Sequence, residues 1–163
     1  MERDSQNHGW AAHAAVAALA SFGPSFIASK VTIANIPTWY MALDKPWFTP
    51  PNWVFGPVWT LLYAGLAVAL YRILRKDRAT PERGRAILIF AVQIALNTFW
   101  SIAFFGLHSP ALGLVVITLL WLSIIANALA FRRLDRLAAW PFAPYLAWVS
   151  FAAVLNEQIL ALN

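Results

Sequence analysis

Five stretches of about 20 apolar residues, each free of Asp, Glu, Lys and Arg through its middle, leave this chain few ways to fold in water. They cover residues 10–29, 53–74, 86–105, 111–131 and 138–160. A helix satisfies its own backbone hydrogen bonds and rises about 1.5 Å per residue, so about 20 residues cross a hydrocarbon core of roughly 30 Å. The expected fold is all-α: a single integral membrane domain over residues 1–163. It is a bundle of five transmembrane helices, with a long aromatic loop at residues 30–52 between the first two. Composition agrees, since 61% of the 163 residues are hydrophobic and 12% are charged, against about 25% charged in soluble domains. The flank MERDSQNHG is mixed in charge, unlike the basic start of a secretory signal, so the first run reads as a mature helix.

Charge placement gives an expected orientation. Five spans put the N-terminus and the second and fourth loops on one side. That side holds Arg3, then Arg72, Arg75, Lys76, Arg78, Arg83 and Arg85, then Arg132, Arg133 and Arg136, whereas the other side holds Lys30 and Lys45. Basic residues accumulate in cytoplasmic loops, which places the N-terminus in the cytoplasm and the C-terminus outside. The net charge of +5 is thereby topological. No reading motif or stacking aromatics accompany these loops, so no nucleic-acid partner is expected.

The chain has no cysteine, which removes disulfides and thiolate chemistry. His8, His13 and His108 show no metal-ligand spacing, and no metal site is expected. There is no Gly-rich phosphate loop, nucleophile elbow or intramembrane carboxylate pair.

Residues 39–59, WYMALDKPWFTPPNWVFGPVW, hold four tryptophans, one tyrosine and two phenylalanines among four prolines. Proline fixes φ and biases the residue before it away from helix, so the segment reads as a stiff lid, with Thr49 capping the second helix and Pro50 at its first position. Trp39, Trp47 and Trp53 suit an interfacial belt. Trp59 lies two turns inside the second helix, on one face with Phe55 and Tyr63. Gln93, Asn97, Trp100, Ser101 and Phe104 share a face of the third span, and Tyr145, Trp148, Ala152, Leu155 and Asn156 a face of the fifth. Polar groups at that depth point into the bundle, either as interhelical hydrogen bonds or as a pocket wall. A pocket of indoles, phenyls and a few neutral donors suits a flat, largely apolar ligand such as a porphyrin or sterol. Lys30 or Lys45 near the surface is placed to meet porphyrin carboxylates.

These residues also carry a resemblance. Trp39-Tyr40, Leu43, Lys45-Pro46, Phe48, Pro50-Pro51, Phe55, Trp59 and Leu62-Tyr63 resemble the signature of the TspO/translocator protein family. That family is also called the tryptophan-rich sensory or peripheral-type benzodiazepine receptor family. Further matches are Gln93, Asn97, Trp100 and Phe104-Phe105, then Pro144-Tyr145, Trp148 and Leu155-Asn156, so the likeness runs from about residue 21 to residue 156. It implies a five-helix membrane bundle that binds porphyrins, protoporphyrin IX or haem, as ligands, with no cofactor required. The pocket residues it implies are Tyr40, Trp59, Asn97, Trp100, Ser101, Trp148, Ala152 and Leu155, and our reading of the helical faces adds Phe55 and Tyr145. In bacterial relatives the tryptophans matching Trp59 and Trp148 are associated with light-dependent breakdown of protoporphyrin, which makes these two the candidate catalytic residues.

The resemblance implies a receptor or sensor that regulates tetrapyrrole metabolism or a stress response. The alternative is a transporter of porphyrins or sterol-like molecules, although coupled transport usually employs intramembrane ionisable groups and the five spans have none centrally. Leu155-Asn156-Glu157-Gln158 contains no Tyr followed by Lys or Arg. The cholesterol-recognition pattern of animal members is thus missing there, which weighs against sterol and suits a bacterial membrane. Family members are commonly homodimers. Ala91 and Ala95 form a small-xxx-small pair about 200° around the third helix from Gln93 and Asn97, a candidate dimer interface.

Overall fold

In the computed structural model the backbone is described for residues 2–163 and the side chains from residue 9 onward, so Arg3 and His8 lie outside the described side chains. Helix α1 (Glu2–Asn35) continues through a π-helical turn, Ile36–Tyr40. Then come α2 (Asn52–Leu74) and α3 (Pro81–Ser101), the latter extended by a second π-helical turn, Ile102–Gly106. Helix α4 (Pro110–Leu134), a single turn α5 (Arg136–Ala139) and α6 (Phe142–Leu162) complete the chain, with no strand among the described residues. Among the described residues, five stretches are long and apolar enough to cross a membrane: Gly9–Tyr40, Asn52–Leu74, Pro81–Gly106, Pro110–Leu134 and Arg136–Leu162. The chain is an all-α, multi-pass integral membrane protein.

The first connection is shorter than the expected 30–52. Helical structure persists through residue 42, and the irregular loop covers 43–51. Pro37 cannot donate the amide that an α-helix needs there. The backbone responds by widening into the π-helical turn rather than ending. The end of this helix is closed by Lys45, whose Nζ donates to the carbonyls of Tyr40 at 2.8 Å and Leu43 at 2.7 Å. Thr49 does not cap α2. Its hydroxyl donates to the Pro46 carbonyl at 2.8 Å, closing a turn within the loop, and α2 starts two residues beyond Pro50. Asn163 ties the loop to the end of α6 by accepting from the Asp44 amide and donating to the Asp44 carbonyl, both at 3.0 Å.

The helices form a closed ring. Helix α1 packs on α2 and α3, α3 on α4, α4 on α6, and α2 closes the circle against α5 and α6. Gly113 permits the α4–α6 approach near the loop end of the bundle, since a Cβ there would lie 2.7 Å from Asn156 Oδ1. Asn156 uses that space, accepting from Trp100 Nε1 at 3.2 Å and donating to the Pro110 carbonyl at 2.7 Å. One amide thus joins α3, α4 and α6.

The opposite, basic end is fastened by Asp135. Its carboxylate accepts from Arg72 Nε at 3.1 Å and Nη2 at 3.2 Å, lies 3.4 Å from Lys76 Nζ, and caps α5 through the Leu137 amide at 2.9 Å. Arg83 donates to the terminal carbonyls of Ile73 and Leu74, so α3 caps α2. Burial pushes the Asp135 carboxyl upward, but hydrogen bonds from Arg72, the Leu137 amide, Lys76 and the Ala138 amide outweigh it and hold the carboxyl below its ordinary value. A depressed carboxyl contributes stability that is fully present above the unfolded value of about 3.9 and is lost as pH falls through the folded value. Asp135→Ala is expected to lower stability by on the order of 2 kcal/mol at pH 7. The deficit should be level from pH 5 to 7 and shrink below pH 4, as read by thermal unfolding in detergent; an unchanged melting temperature at pH 7 would contradict the role of this clasp.

Candidate functional site

A cavity of about 850 Å³ occupies the loop half of the bundle, between α1, α2 and the end of α3. Helix α1 makes room for it with small residues, Ala18, Gly23, Ser25, Ala28 and Ser29. Helix α2 contributes Phe55, Trp59, Thr60 and Tyr63, and α3 contributes Trp100, Ser101 and, from its π-helical turn, Phe105. No lining side chain is charged. Leu19, Phe26, Ile33 and Trp53 line it and are also strongly exposed, so the cavity opens sideways between α1 and α2. In a bilayer that opening meets lipid.

The two π-helical turns abut and build the ceiling. The residue inserted after Pro37 turns Tyr40 inward, where it is 4% exposed and packs on Phe105 with ring centroids 5.5 Å apart. Trp39 turns the other way. Its indole stacks on the His108 imidazole at 4.7 Å and meets the edge of Phe104 at 5.4 Å. His108 is itself held in the left-handed region at φ 52° and shares a 2.8 Å hydrogen bond with Asn35 Oδ1. Of the three belt candidates, Trp47 and Trp53 are 95% and 75% exposed, whereas Trp39 is half-buried between two elements.

Trp59 stacks on Tyr63 at 5.6 Å and makes an edge contact with Tyr145 at 6.1 Å. Behind that wall runs a buried polar chain. The Tyr63 hydroxyl donates to Asn97 Oδ1, and Asn97 Nδ2 donates to the Tyr145 hydroxyl at 3.0 Å. Gln93, completely buried, accepts from Asn127 at 2.8 Å. Gln93 and Asn97 thus make interhelical hydrogen bonds, and both polar ends of the Asn97 amide are engaged by phenols.

The sequence-derived residues thus separate into three groups. Tyr40, Phe55, Trp59, Trp100 and Ser101 meet in one cavity. Asn97 and Tyr145 stand one layer behind it, linked to Tyr63. Trp148, Ala152 and Leu155 are outside its lining: Ala152 and Leu155 are in the core, and Trp148 packs on Phe55 and Phe151 and faces a separate groove between α2 and α6. Trp59 lines the cavity and Trp148 does not; Phe55 lines it and packs on Trp148 with ring centroids 5.7 Å apart. The α1 wall was missed, although Ser25, Ser29 and Thr32 recur at helical spacing and are the signal that marks it. The two candidate cations also divide. Lys45 is committed to carbonyl capping, whereas Lys30 lies 4.8 Å from the ring centroid of Phe26, a residue of the cavity mouth. Ala91 and Ala95 are exposed on the outward face of α3, with Gln93 and Asn97 buried on the other.

The family model described as TspO/MBR matches residues 12–162. The chain is 43% identical over 138 residues to tryptophan-rich protein TspO of Chlorobaculum tepidum, covering 85% of this chain and 87% of that one. It is 39% identical over 125 residues to the tryptophan-rich sensory protein of Cereibacter sphaeroides, covering 77% of each. It is also 33% identical over 132 residues to the human translocator protein, covering 80% of this chain and 78% of that one. With a model match across nearly its whole length and relatives aligned over more than three quarters of theirs, the chain belongs to the TspO/MBR family.

Proposed function

We propose that this protein is a membrane receptor or sensor for porphyrins, protoporphyrin IX or haem, regulating tetrapyrrole metabolism or a stress response. The observation that carries the reading is the uncharged aromatic cavity of about 850 Å³ that opens between α1 and α2. Its size falls within the range for sites that enclose a small molecule, and its stacked indoles and phenyls suit a flat π-system. The hydroxyls of Thr32 and Ser101 supply neutral donors that orient it, while Thr60, whose proton goes to the Gly56 carbonyl at 2.9 Å, offers an acceptor. The printed name of the Cereibacter relative, a sensory protein, supports the sensing role. Lys30 at the mouth is the cation that would meet a ligand carboxylate, because Lys45 is already engaged.

Titration of purified protein with protoporphyrin in the dark, read by tryptophan quenching, is expected to saturate. Lys30→Ala should weaken protoporphyrin several-fold and leave its dimethyl ester unaffected, in line with the worth of one charge-assisted contact. Absence of saturable quenching would overturn the receptor reading, whereas porphyrin flux through proteoliposomes would favour the transporter.

Light-driven breakdown of the bound porphyrin is a further part of the proposal. The excited porphyrin converts dissolved dioxygen to singlet oxygen, which is the oxidant and adds across a double bond of the macrocycle or of a nearby indole, and the walls confine it. Trp59 lines the cavity and Trp148 stands behind Phe55. Trp59→Phe is therefore expected to slow the loss of porphyrin absorbance under light more than Trp148→Phe does, with binding in the dark retained by both. Equal rates in wild type and Trp59→Phe would remove Trp59 from the chemistry.

We further propose that two copies pair through Ala91 and Ala95, with the basic end of each in the cytoplasm. Because the chain has no cysteine, single cysteines report both. Ala95→Cys should cross-link between copies in membranes, and Asp44→Cys, unlike Arg78→Cys, should react with an impermeant maleimide added outside.

A further inference from the structure

The two helices that edge the cavity mouth carry the same three residues. Phe22-Gly23-Pro24 lies inside α1 and Phe55-Gly56-Pro57 inside α2, and no other glycine of the chain precedes a proline. Proline brings no amide, so the α-helical hydrogen bonds to the carbonyls of Ala20 and Trp53 cannot form. The glycine beside it weakens the helix further. Packing does not call for these two glycines. A Cβ at Gly65, Gly106 or Gly113 would lie 3.1, 3.1 or 2.7 Å from a neighbour, whereas at Gly23 or Gly56 it would meet nothing within 4 Å. Hydroxyls act on the same turns. Ser25 donates to the Phe22 carbonyl at 2.7 Å, Ser29 to the Ser25 carbonyl at 2.8 Å and Thr60 to the Gly56 carbonyl at 2.9 Å. Back-bonding of this kind bends helices, and proline is where sharp kinks arise.

On either side of these turns both helices are held. Ala17 and Ser21 of α1 are buried before the triplet, and Asn35 bonds His108 after it at 2.8 Å. In α2 the Tyr63 hydroxyl donates to Asn97 beyond the triplet, and Asn163 holds the loop that precedes it. Bending therefore falls on the stretches that carry Phe26, Ile33 and Trp53, the exposed residues of the mouth. Among the described residues, no hydrogen bond or ion pair joins residues 18–36 of α1 to residues 52–63 of α2, and the walls meet through apolar contacts such as Phe22 on Tyr63, with ring centroids 6.0 Å apart. Lipid tails are as apolar as these side chains, so parting the walls in a bilayer carries little hydrophobic penalty.

We propose that, given the reading of this cavity as the ligand site, the paired Phe-Gly-Pro triplets are hinges at which α1 and α2 bow apart, and that the ligand enters and leaves sideways from the bilayer. The rate of exchange is then set by the two helix walls and not by the loop above them. That loop is the more firmly held of the two routes: Lys45 caps it, Asn163 ties it to α6, and Tyr40 and Phe105 are part of the buried core beneath it.

Stopped-flow tryptophan quenching by protoporphyrin, on the full-length protein in nanodiscs and in the dark, tests this. Pro24 and Pro57 are outside the cavity lining, and alanine favours helix over proline, so Pro24→Ala and Pro57→Ala keep the fold and the site. Each is expected to slow association and dissociation alike by about five-fold, the equivalent of one restored backbone hydrogen bond, with the equilibrium constant unchanged. Pulsed electron paramagnetic resonance reads the hinges without any ligand. Because the chain has no cysteine, spin labels can be placed by Ile27→Cys and Leu61→Cys, at exposed positions outside the lining. Their distance distribution should be broad with both prolines present and narrow when Pro24→Ala and Pro57→Ala are combined. Unchanged rates in both proline variants, or the same distribution with and without the prolines, overturns the hinges. Weaker binding at an unchanged association rate also overturns them, since the prolines would then shape the cavity and not its access. Absence of saturable quenching by wild type would instead remove the receptor reading, and the spin-label distances would still decide whether the walls bend.

Discussion

The amide of Asn97, held between the hydroxyls of Tyr63 and Tyr145, is the interaction on which the arrangement of the site depends. In hydrocarbon no water is at hand for a polar group, so a buried amide must find partners on neighbouring helices. Asn97 finds them on α2 and α6 at once, which fixes three of the five spans relative to one another. Gln93 and Asn127 do the same for α3 and α4. Helix α1 takes no part in this network among the described residues, and it is the helix whose small-residue face stands away from the others. The cavity is the space between a cross-linked four-helix group and a helix that leans on it.

The two ends of the bundle are built differently. At the basic end, Asp135 and Arg83 draw α2, α3, α4 and α5 together, and Phe90, Phe131 and Phe142 pack beneath them with ring centroids 5.9 and 5.2 Å apart. At the loop end two π-helical turns replace regular helix. Each trades regular hydrogen bonding for a changed side-chain direction, and such turns are frequent at functional sites. Here the first delivers Tyr40 to the cavity ceiling and the second delivers Phe105 against it. Lys45 capping and Asn163 hold the loop beside this ceiling, and Tyr40, Phe104 and Phe105 tie the ceiling into the buried core.

Much of the architecture was legible because a bilayer reduces the problem to length and charge. The five spans follow from uninterrupted apolar runs, and the basic end follows from where arginine is allowed. The site was legible only in part. Periodicity showed that Trp59, Trp100 and Trp148 each lie on a polar-aromatic face, but a face carries no record of its partner. Trp148 is expected in one pocket with Trp59, whereas it lies outside the cavity lining, packs on Phe55 and walls the α2–α6 groove. Lys45 was likewise expected near a ligand, and the carbonyls left free at the end of α1 claimed it first.

By itself the sequence determined that this chain crosses a membrane five times as helix, which aromatic and amide residues face inward, and which end is basic. Those properties are set by hydrophobic length, by 3.6-residue periodicity and by the penalty on buried charge, all of which are local. Only the tertiary structure decided which inward faces meet. The closure of α1 onto α2 and α3, rather than onto α6, puts the cavity beside Trp59 and Tyr40 and leaves Trp148 behind Phe55. That choice depends on the size of residues on helices far apart in the chain, such as Gly65, Gly113 and the serines of α1, and no local pattern contains it.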